Sequence, residues 1–179
     1  MIDEVLDFWF AAGMEKRWFV KDPEFDRLIR DKLLPLYQQA SAEKLESWRQ
    51  HGRGSLALCI LLDQVPRNLF RNDPRSFATD SYALKVAEQA VAKAWDKTLE
   101  EREKVFLYLP FEHSEKLENQ EKSLELFAGL GRDSNWYDYA VKHAEIIRRF
   151  GRFPHRNAVL GRENTPEEAA FLLEPGSSF

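Results

Sequence analysis

The sequence of 179 residues lacks the features that mark several large classes of protein. Its single cysteine, Cys59, cannot form an intramolecular disulfide, which excludes a disulfide scaffold and fits a reducing cytosol. No apolar run approaches the ~18 residues that a membrane-spanning helix requires, and the acidic start is unlike a secretory signal. We therefore expect a cytoplasmic protein with no membrane partner.

The chain also has no excess of positive charge. It contains 26 Lys and Arg residues and 30 Asp and Glu residues, so its formal net charge is −4. A chain with this balance has no overall field that attracts nucleic acid. We expect no nucleic-acid partner, and any site for an anion must be formed locally. The 44% of hydrophobic residues is enough for a folded core.

Helical periodicity runs through almost the whole chain, and no linker divides it. The sequence therefore predicts one all-α domain spanning residues 1–179. Short connections between the helices would suit a bundle or a tetratricopeptide-like stack. Helices are predicted over residues 2–11, 24–40, 79–94, 100–108, 112–129 and 134–150, with a short segment over 42–50 and a short last helix after Thr165.

The stretch from Leu56 to Leu62 is apolar on all sides, which a surface helix cannot be. It is predicted to be the central helix, and a buried strand is the competing interpretation. Pro66 cannot donate to the helix ladder and disfavours helix at Val65, so the helix must kink or end there. Backbone carbonyls near Leu62 would then be left without their helical partners.

Two arginine-rich turns follow strongly apolar helices, one around Pro66 and the other around Pro154. Guanidinium groups match the geometry of carboxylate and phosphate, so the turns are candidates for anion recognition. We predict a pocket for a small anionic ligand or an acidic peptide end. Its residues are Asp63, Arg67, Asn68, Arg152, His155, Arg156 and Asn157. The alternative is structural, since arginines after a helix C-terminus also favourably meet its dipole.

The pocket requires both arginine turns to emerge on the same side of the molecule. Crowded guanidinium groups need carboxylates or a bound anion between them. We therefore predict that Asp63 pairs with Arg67 or with an arginine of residues 152–156. His113 or His155 should join the cluster, and at least one arginine should face a cavity.

A third polar cluster, Glu112, His113 and Glu115, supports a second hypothesis. If one helix covers 112–129, His113 and Gln120 share its apolar face, and His143 points inward from the next helix. An enzyme could use Glu112, His113 and Glu115 as acid–base groups, with arginines stabilising negative charge. Satisfied core histidines and an acidic first helical turn are the structural alternative.

No metal or cofactor is predicted, because phosphate loops, zinc-protease motifs, nucleophile elbows and dinucleotide fingerprints are absent from the sequence. A metal ion held by His113, His143 and His155 is the one such alternative left open. A third functional hypothesis is a scaffold, in which the polar motifs fasten helix ends and an exposed groove recruits a protein.

Six motifs together resemble the bacterial family called domain of unknown function 924, over essentially the whole chain. They are Val5–Phe10, Leu62–Asn68, Phe77–Asp80, Tyr108–Glu115, Arg149–Asn157 and Pro175–Phe179. The resemblance implies an all-helical, tetratricopeptide-like fold in which antiparallel helix pairs stack into a right-handed superhelix. It implies no established activity.

Overall fold

The computed structural model describes residues 1–178, and within this range the chain is helical and contains no β-strand. The α-helices are α1 (Ile2–Trp9), α2 (Pro23–Ser41), α3 (Gly52–Cys59), α4 (Val65–Leu69), α5 (Asp80–Ala92), α6 (Glu101–Glu112), α7 (Leu117–Ala128), α8 (Asn135–Phe150) and α9 (Pro166–Phe171). Short 3-10 helices cover Met14–Lys16, Glu46–Gln50, Pro74–Phe77, Trp95–Thr98 and Pro154–Arg156. The all-α prediction is confirmed. None of the described helices combines the length and apolar composition needed to span a membrane.

The chain forms two compact units. Unit 1 consists of Met1–Arg71 and Arg75–Pro110, and unit 2 consists of Asn72–Pro74 and the chain from Phe111 onward. A single domain and a tetratricopeptide-like stack stay predictions. Phe179, the last residue of the C-terminal motif, lies outside the described residues.

The core of unit 1 is built around the predicted central helix. Every side chain from Leu56 to Leu62 is fully buried, and the segment is helical, so the strand interpretation is wrong. α3 packs against α1 and α5, while α2 packs against α4. Gly54 permits α3 to pack against the 3-10 helix Glu46–Gln50, because a Cβ atom there would lie 2.1 Å from the carbonyl oxygen of Trp48.

Pro66 does not end the helix, because a π-helical turn over Ile60–Gln64 joins α3 to α4. Such turns loosen the hydrogen-bond ladder where a helix must absorb a local defect. Near this predicted defect, the carbonyl oxygen of Leu62 accepts a hydrogen bond from Oγ1 of Thr79. Thr79 precedes α5 as predicted, but its side chain makes no capping bond to that helix.

In unit 2, α7 packs against α8, and the core contains Ile146, Ile147 and Phe153. Gly151 ends α8 in the left-handed conformation that favours glycine, with a φ of 71° and an N–H that donates to the carbonyl of Ile147. Thr165 forms the predicted N-terminal cap of α9.

The predicted helix over 112–129 is wrong at its start, because α6 continues through Pro110 to Glu112 and α7 begins only at Leu117. Gln120 stabilises this break. Its Nε2 donates to the carbonyl oxygens of Glu112 at 2.6 Å and Ser114 at 2.7 Å, which satisfies backbone groups at the helix end. His113 therefore lies in a turn and does not share a helical face with Gln120. The segment predicted over 42–50 is a 3-10 helix over Glu46–Gln50.

Thr79→Val keeps the side-chain volume but leaves the buried Leu62 carbonyl without its hydroxyl donor. We expect the free energy of unfolding to fall by about 1–3 kcal/mol, measured by urea denaturation. Thr98→Val is the matched control, because Thr98 also donates to a backbone carbonyl but is exposed. Equal effects of the two substitutions would contradict a special role for the Thr79 bond.

Candidate functional site

The predicted site residues fall into two clusters, and each belongs to one compact unit. Unit 1 contains Asp63, Arg67 and Asn68. Unit 2 contains the second arginine turn, Arg152, His155, Arg156 and Asn157, together with Glu112, His113 and Glu115. A shared pocket formed by the two turns stays a prediction, and each cluster is described by itself.

The first arginine turn is an internal ion-pair network. Asp63 is fully buried, and Nη1 of Arg67 lies 3.2 Å from its carboxylate, so the predicted pair is confirmed. Arg67 also donates to both carboxylate oxygens of Asp80, at 2.8 and 2.9 Å. Burial, followed by the charge of Asp63, raises the pKa of the fully buried Cys59 thiol.

A cleft of about 380 Å³ lies beside this network, between the start of α2 and the end of α4. Its lining residues are Pro23, Asp26, Arg27, Arg30, Asn68, Leu69 and Arg71. Asn68 is the predicted site residue that reaches it. The lining contains three guanidinium groups and only one carboxylate, so the cleft is locally positive in a protein of net negative charge.

Two of the cleft arginines are anchored to the protein. Nε and Nη2 of Arg71 donate to the carboxylate of Asp26 at 2.7 and 2.8 Å, and Nη2 also donates to Oδ1 of Asn68 at 3.0 Å. Arg30 donates through Nη2 to the carbonyl oxygen of Leu69 at 3.0 Å. Sequence reasoning missed Arg27 and Arg30, because only the packing of α2 against α4 places them beside the first turn.

The second arginine turn is also tied to carboxylates. Arg152 donates to both oxygens of Glu168, at 2.7 and 2.8 Å, and Asn157 donates to the same carboxylate at 3.2 Å. Glu168 is only 2% exposed. The hydrogen bond from Arg152 is the main reason that the pKa of Glu168 is lowered to about 2. Arg152 therefore anchors α9 to the turn.

Glu115 has a similar partner, Arg162, which donates to its two oxygens at 2.8 and 2.9 Å. The backbone N–H of Phe153 donates to Glu115 as well. Burial raises the pKa of Glu115, but the bonds from Arg162 and Phe153 outweigh burial, and the pKa is lowered. Glu112 and Glu115 do not lie on one helix, because the chain leaves α6 between them.

Glu112 instead contacts His143, and both side chains are almost fully buried. Nδ1 of His143 lies 3.1 Å from the Glu112 carboxylate and 2.8 Å from the carbonyl oxygen of Tyr139. Because a carbonyl can only accept, Nδ1 carries the proton. Burial, followed by the charge of His113, lowers the pKa of His143 to about 3. Near neutral pH the imidazole is therefore uncharged, so its contact with Glu112 is not an ion pair.

His113 adjoins both this pair and the second arginine turn. Its ring centroid lies 6.0 Å from that of His143, and its carbonyl oxygen accepts a bond from Nη2 of Arg156 at 3.0 Å. His155 packs its ring on Phe153, with centroids 5.6 Å apart. The backbone of His113 therefore contacts the second arginine turn, and the acid–base hypothesis stays a prediction.

A second cleft, of about 270 Å³, lies in unit 2 away from the predicted residues. It is lined by Lys142, Glu145, Ile146, Arg149, Phe150, Phe171 and Gly176. None of the residues proposed from the sequence belongs to this lining.

Comparisons with other proteins agree with the fold and leave the chemistry open. Residues 5–176 match the profile of a family described as "Bacterial protein of unknown function (DUF924)". The chain belongs to this family. The solved structure of a protein of unknown function from Agrobacterium tumefaciens is 40% identical to this DUF924 chain, with a TM-score of 0.91 over 96% of each chain. No curated protein is similar to the chain.

Arg67→Ala should destabilise this DUF924 protein by about 3–5 kcal/mol, because it leaves the buried Asp63 carboxylate without its cation. Urea denaturation followed by circular dichroism measures the effect. Arg102→Ala removes a largely exposed ion pair with Glu100 and should cost less than about 1 kcal/mol. A loss of similar size for Arg67→Ala would show that Asp63 does not depend on the pair.

Glu168→Gln should lower the free energy of unfolding most clearly above pH 4.5. The folded-state pKa of Glu168, about 2, lies below its ordinary value of 4.5. Its contribution is therefore present above pH 4.5 and is lost as the pH falls towards 2. The difference between wild type and variant should shrink over that window.

Unfolding free energies of both proteins at a series of pH values measure this difference. Glu167→Gln is the control, since Glu167 is the exposed neighbour and pairs with Arg149. A difference for Glu168→Gln that stays constant from pH 6 to pH 2.5 would contradict the role of the carboxylate charge.

Proposed function

We propose that this protein binds a small anionic ligand, carrying several carboxylate or phosphate groups, in the cleft between α2 and α4. The supporting observation is the excess of guanidinium groups in the cleft lining, three against one carboxylate. A local excess of this kind matters because the net charge of the chain is −4 and supplies no general attraction for anions.

Arg71 would supply a fixed donor edge. Its hydrogen bonds to Asp26 and Asn68 use Nε and Nη2, and Nη1 makes no hydrogen bond to residues 1–178. A guanidinium held in this way loses little conformational freedom when it binds a carboxylate or phosphate group. Arg71 therefore suits the recognition of one anionic group of the ligand.

Arg27 and Arg30 would supply the remaining charge. They are exposed and three residues apart on α2, which places them on neighbouring positions of one helix surface. Arg27 makes no hydrogen bond or ion pair with the part of the chain that the structure describes. Like charges in proximity favour a bound anion between them. The cleft volume of about 380 Å³ suits a small molecule.

The proposal keeps the ligand class that the sequence suggested and changes most of the residues. Arg67 and Arg152 are engaged with carboxylates of the protein, whereas Asn68 contributes to the cleft by orienting Arg71. An acidic peptide end is the alternative ligand for the same charges. We also keep the cytoplasm as the proposed location and propose no nucleic-acid partner.

Isothermal titration calorimetry with citrate, pyrophosphate and a peptide ending in two aspartates tests the proposal. We expect saturable binding of at least one small anion at one site per chain. Arg27→Ala and Arg30→Ala should each weaken it about tenfold, the ~1.4 kcal/mol expected when a charged hydrogen bond is lost. Lys32→Ala is the control, because Lys32 is exposed on the same helix but does not line the cleft.

The substituted arginines are exposed, so the variants should keep the helical circular dichroism of the wild type. Unchanged affinity in an Arg27→Ala/Arg30→Ala double variant would contradict the cleft as the site. Binding of the peptide alone would favour the peptide-end alternative over a small-molecule ligand.

A further inference from the structure

We propose that Glu112, His113 and His143 form a binding site for one divalent transition-metal ion, with Zn²⁺ as the best match. One ligating atom from each of these side chains lies within 4.8 Å of the others. The three residues belong to unit 2, so this site is separate from the anion cleft of unit 1 and does not depend on it.

The distances suit a single ion. A tetrahedral zinc ion with bonds of about 2.1 Å holds its ligand atoms about 3.4 Å apart. Small rotations of the side chains would therefore bring the three groups from their present spacing to coordination distance. His113 is the half-buried member of the set, so an ion can reach the site from its side.

The donor types indicate which ions would bind. Two imidazoles and one carboxylate suit zinc and its neighbours in the first transition row, whereas Mg²⁺ and Ca²⁺ prefer sets of oxygen ligands. Three protein ligands also leave a fourth position open for water, as in zinc sites that activate a bound water molecule. The proposal is therefore for a site with an accessible coordination position.

Groups around the three ligands already fix their orientation. The carbonyl oxygen of Tyr139 accepts from Nδ1 of His143, so the lone pair of this imidazole lies on Nε2. Phe153 packs edge-on against the same ring, with centroids 5.5 Å apart. One oxygen of Glu112 lies 3.1 Å from Nδ1 of His143, and the carboxylate would turn away from that nitrogen to ligate the ion.

The backbone that carries Glu112 and His113 is held equally firmly. Gln120, which is fully buried, donates to the carbonyl oxygen of Glu112, and Arg156 donates to that of His113. These bonds keep the last residue of α6 and the turn after it facing α8. A rigid surrounding shell of this type is what a preorganised metal site requires.

The set differs from the sequence alternative of His113, His143 and His155. Glu112 takes the place of His155 because α6 extends to residue 112 and brings that carboxylate to 3.1 Å from His143. His155 instead packs its ring at a tilt against Phe153. The two ligand sets differ in the Zn²⁺ affinity that they predict for a His155 variant. Only the set that contains His155 predicts that its substitution weakens binding.

Titration of the metal-free protein with Zn²⁺ by calorimetry, and with Co²⁺ by visible absorption, tests the site. We expect one ion per chain and a Co²⁺ spectrum of low coordination number with nitrogen ligands. His113→Asn and Glu112→Gln should each weaken Zn²⁺ binding by at least tenfold. Glu118→Gln is the control, because Glu118 is exposed on α7 and outside the set.

His113→Asn is the decisive variant, because a half-buried turn residue can be replaced without loss of the fold, which circular dichroism verifies. Stoichiometric binding that survives this substitution, or no saturable binding of either ion to the wild type, would overturn the proposal. His155→Asn should leave the affinity unchanged. A tenfold loss with His155→Asn would overturn the assignment of Glu112 as the third ligand.

Discussion

A single buried carboxylate constrains much of unit 1. Asp63 lies on the π-helical turn of the central helix, where it has no exposure to water, and a buried charge is tolerated only when it is paired. Arg67, one turn later, supplies the opposite charge and is in turn held by Asp80 at the start of α5. The ion pair thus fastens α5 to the central helix, beside the bond from Thr79 to Leu62.

The need to pair buried charges distinguishes arginines that hold the fold together from arginines that remain available to a ligand. Arg67, Arg152 and Arg162 each make two hydrogen bonds to a carboxylate of the protein, so their charge stabilises the fold. Arg27 and Arg30 lie on an exposed helix surface and have no such carboxylate among the described residues. An arginine-rich motif therefore does not by itself mark an anion site. Carboxylate partners and a place in the cleft lining together decide the role. Arg71 is held by Asp26 but lines the cleft, so the proposed anion site includes it.

Local signals predicted the parts of the structure that depend on neighbours in the chain. The apolar run before Asp63 predicted the buried helix, and Gly151 indicated the end of α8. The separation of four residues between Asp63 and Arg67 predicted their ion pair. Each of these depends on residues within one or two helical turns. The sequence could not indicate that Asp80 would complete the pair, because that contact depends on how two helices pack.

In the candidate sites, too, the residue types could be predicted from the sequence, whereas their geometry could not. Glu112 and His113 were identified by their polarity in an apolar surrounding, but their geometry depends on a helix end that the periodicity placed wrongly. α6 continues through Pro110 to Glu112, and the bonds from Gln120 to the carbonyls of Glu112 and Ser114 hold the break that follows. The cleft arginines gave no local signal, because charged residues on an exposed helix face are ordinary.

The division between structural and ligand-binding arginines is the central claim, and side-chain NMR tests it most directly. Arginine Nε–Hε resonances of ¹⁵N-labelled protein would be followed during titration with citrate or pyrophosphate, with assignments from single Arg→Lys variants. The account predicts saturable shifts for Arg27, Arg30 and Arg71, with Arg67, Arg152 and Arg162 unchanged. Shifts confined to Arg67 or Arg152 would contradict it, because those guanidinium groups would then be the ones that meet the anion.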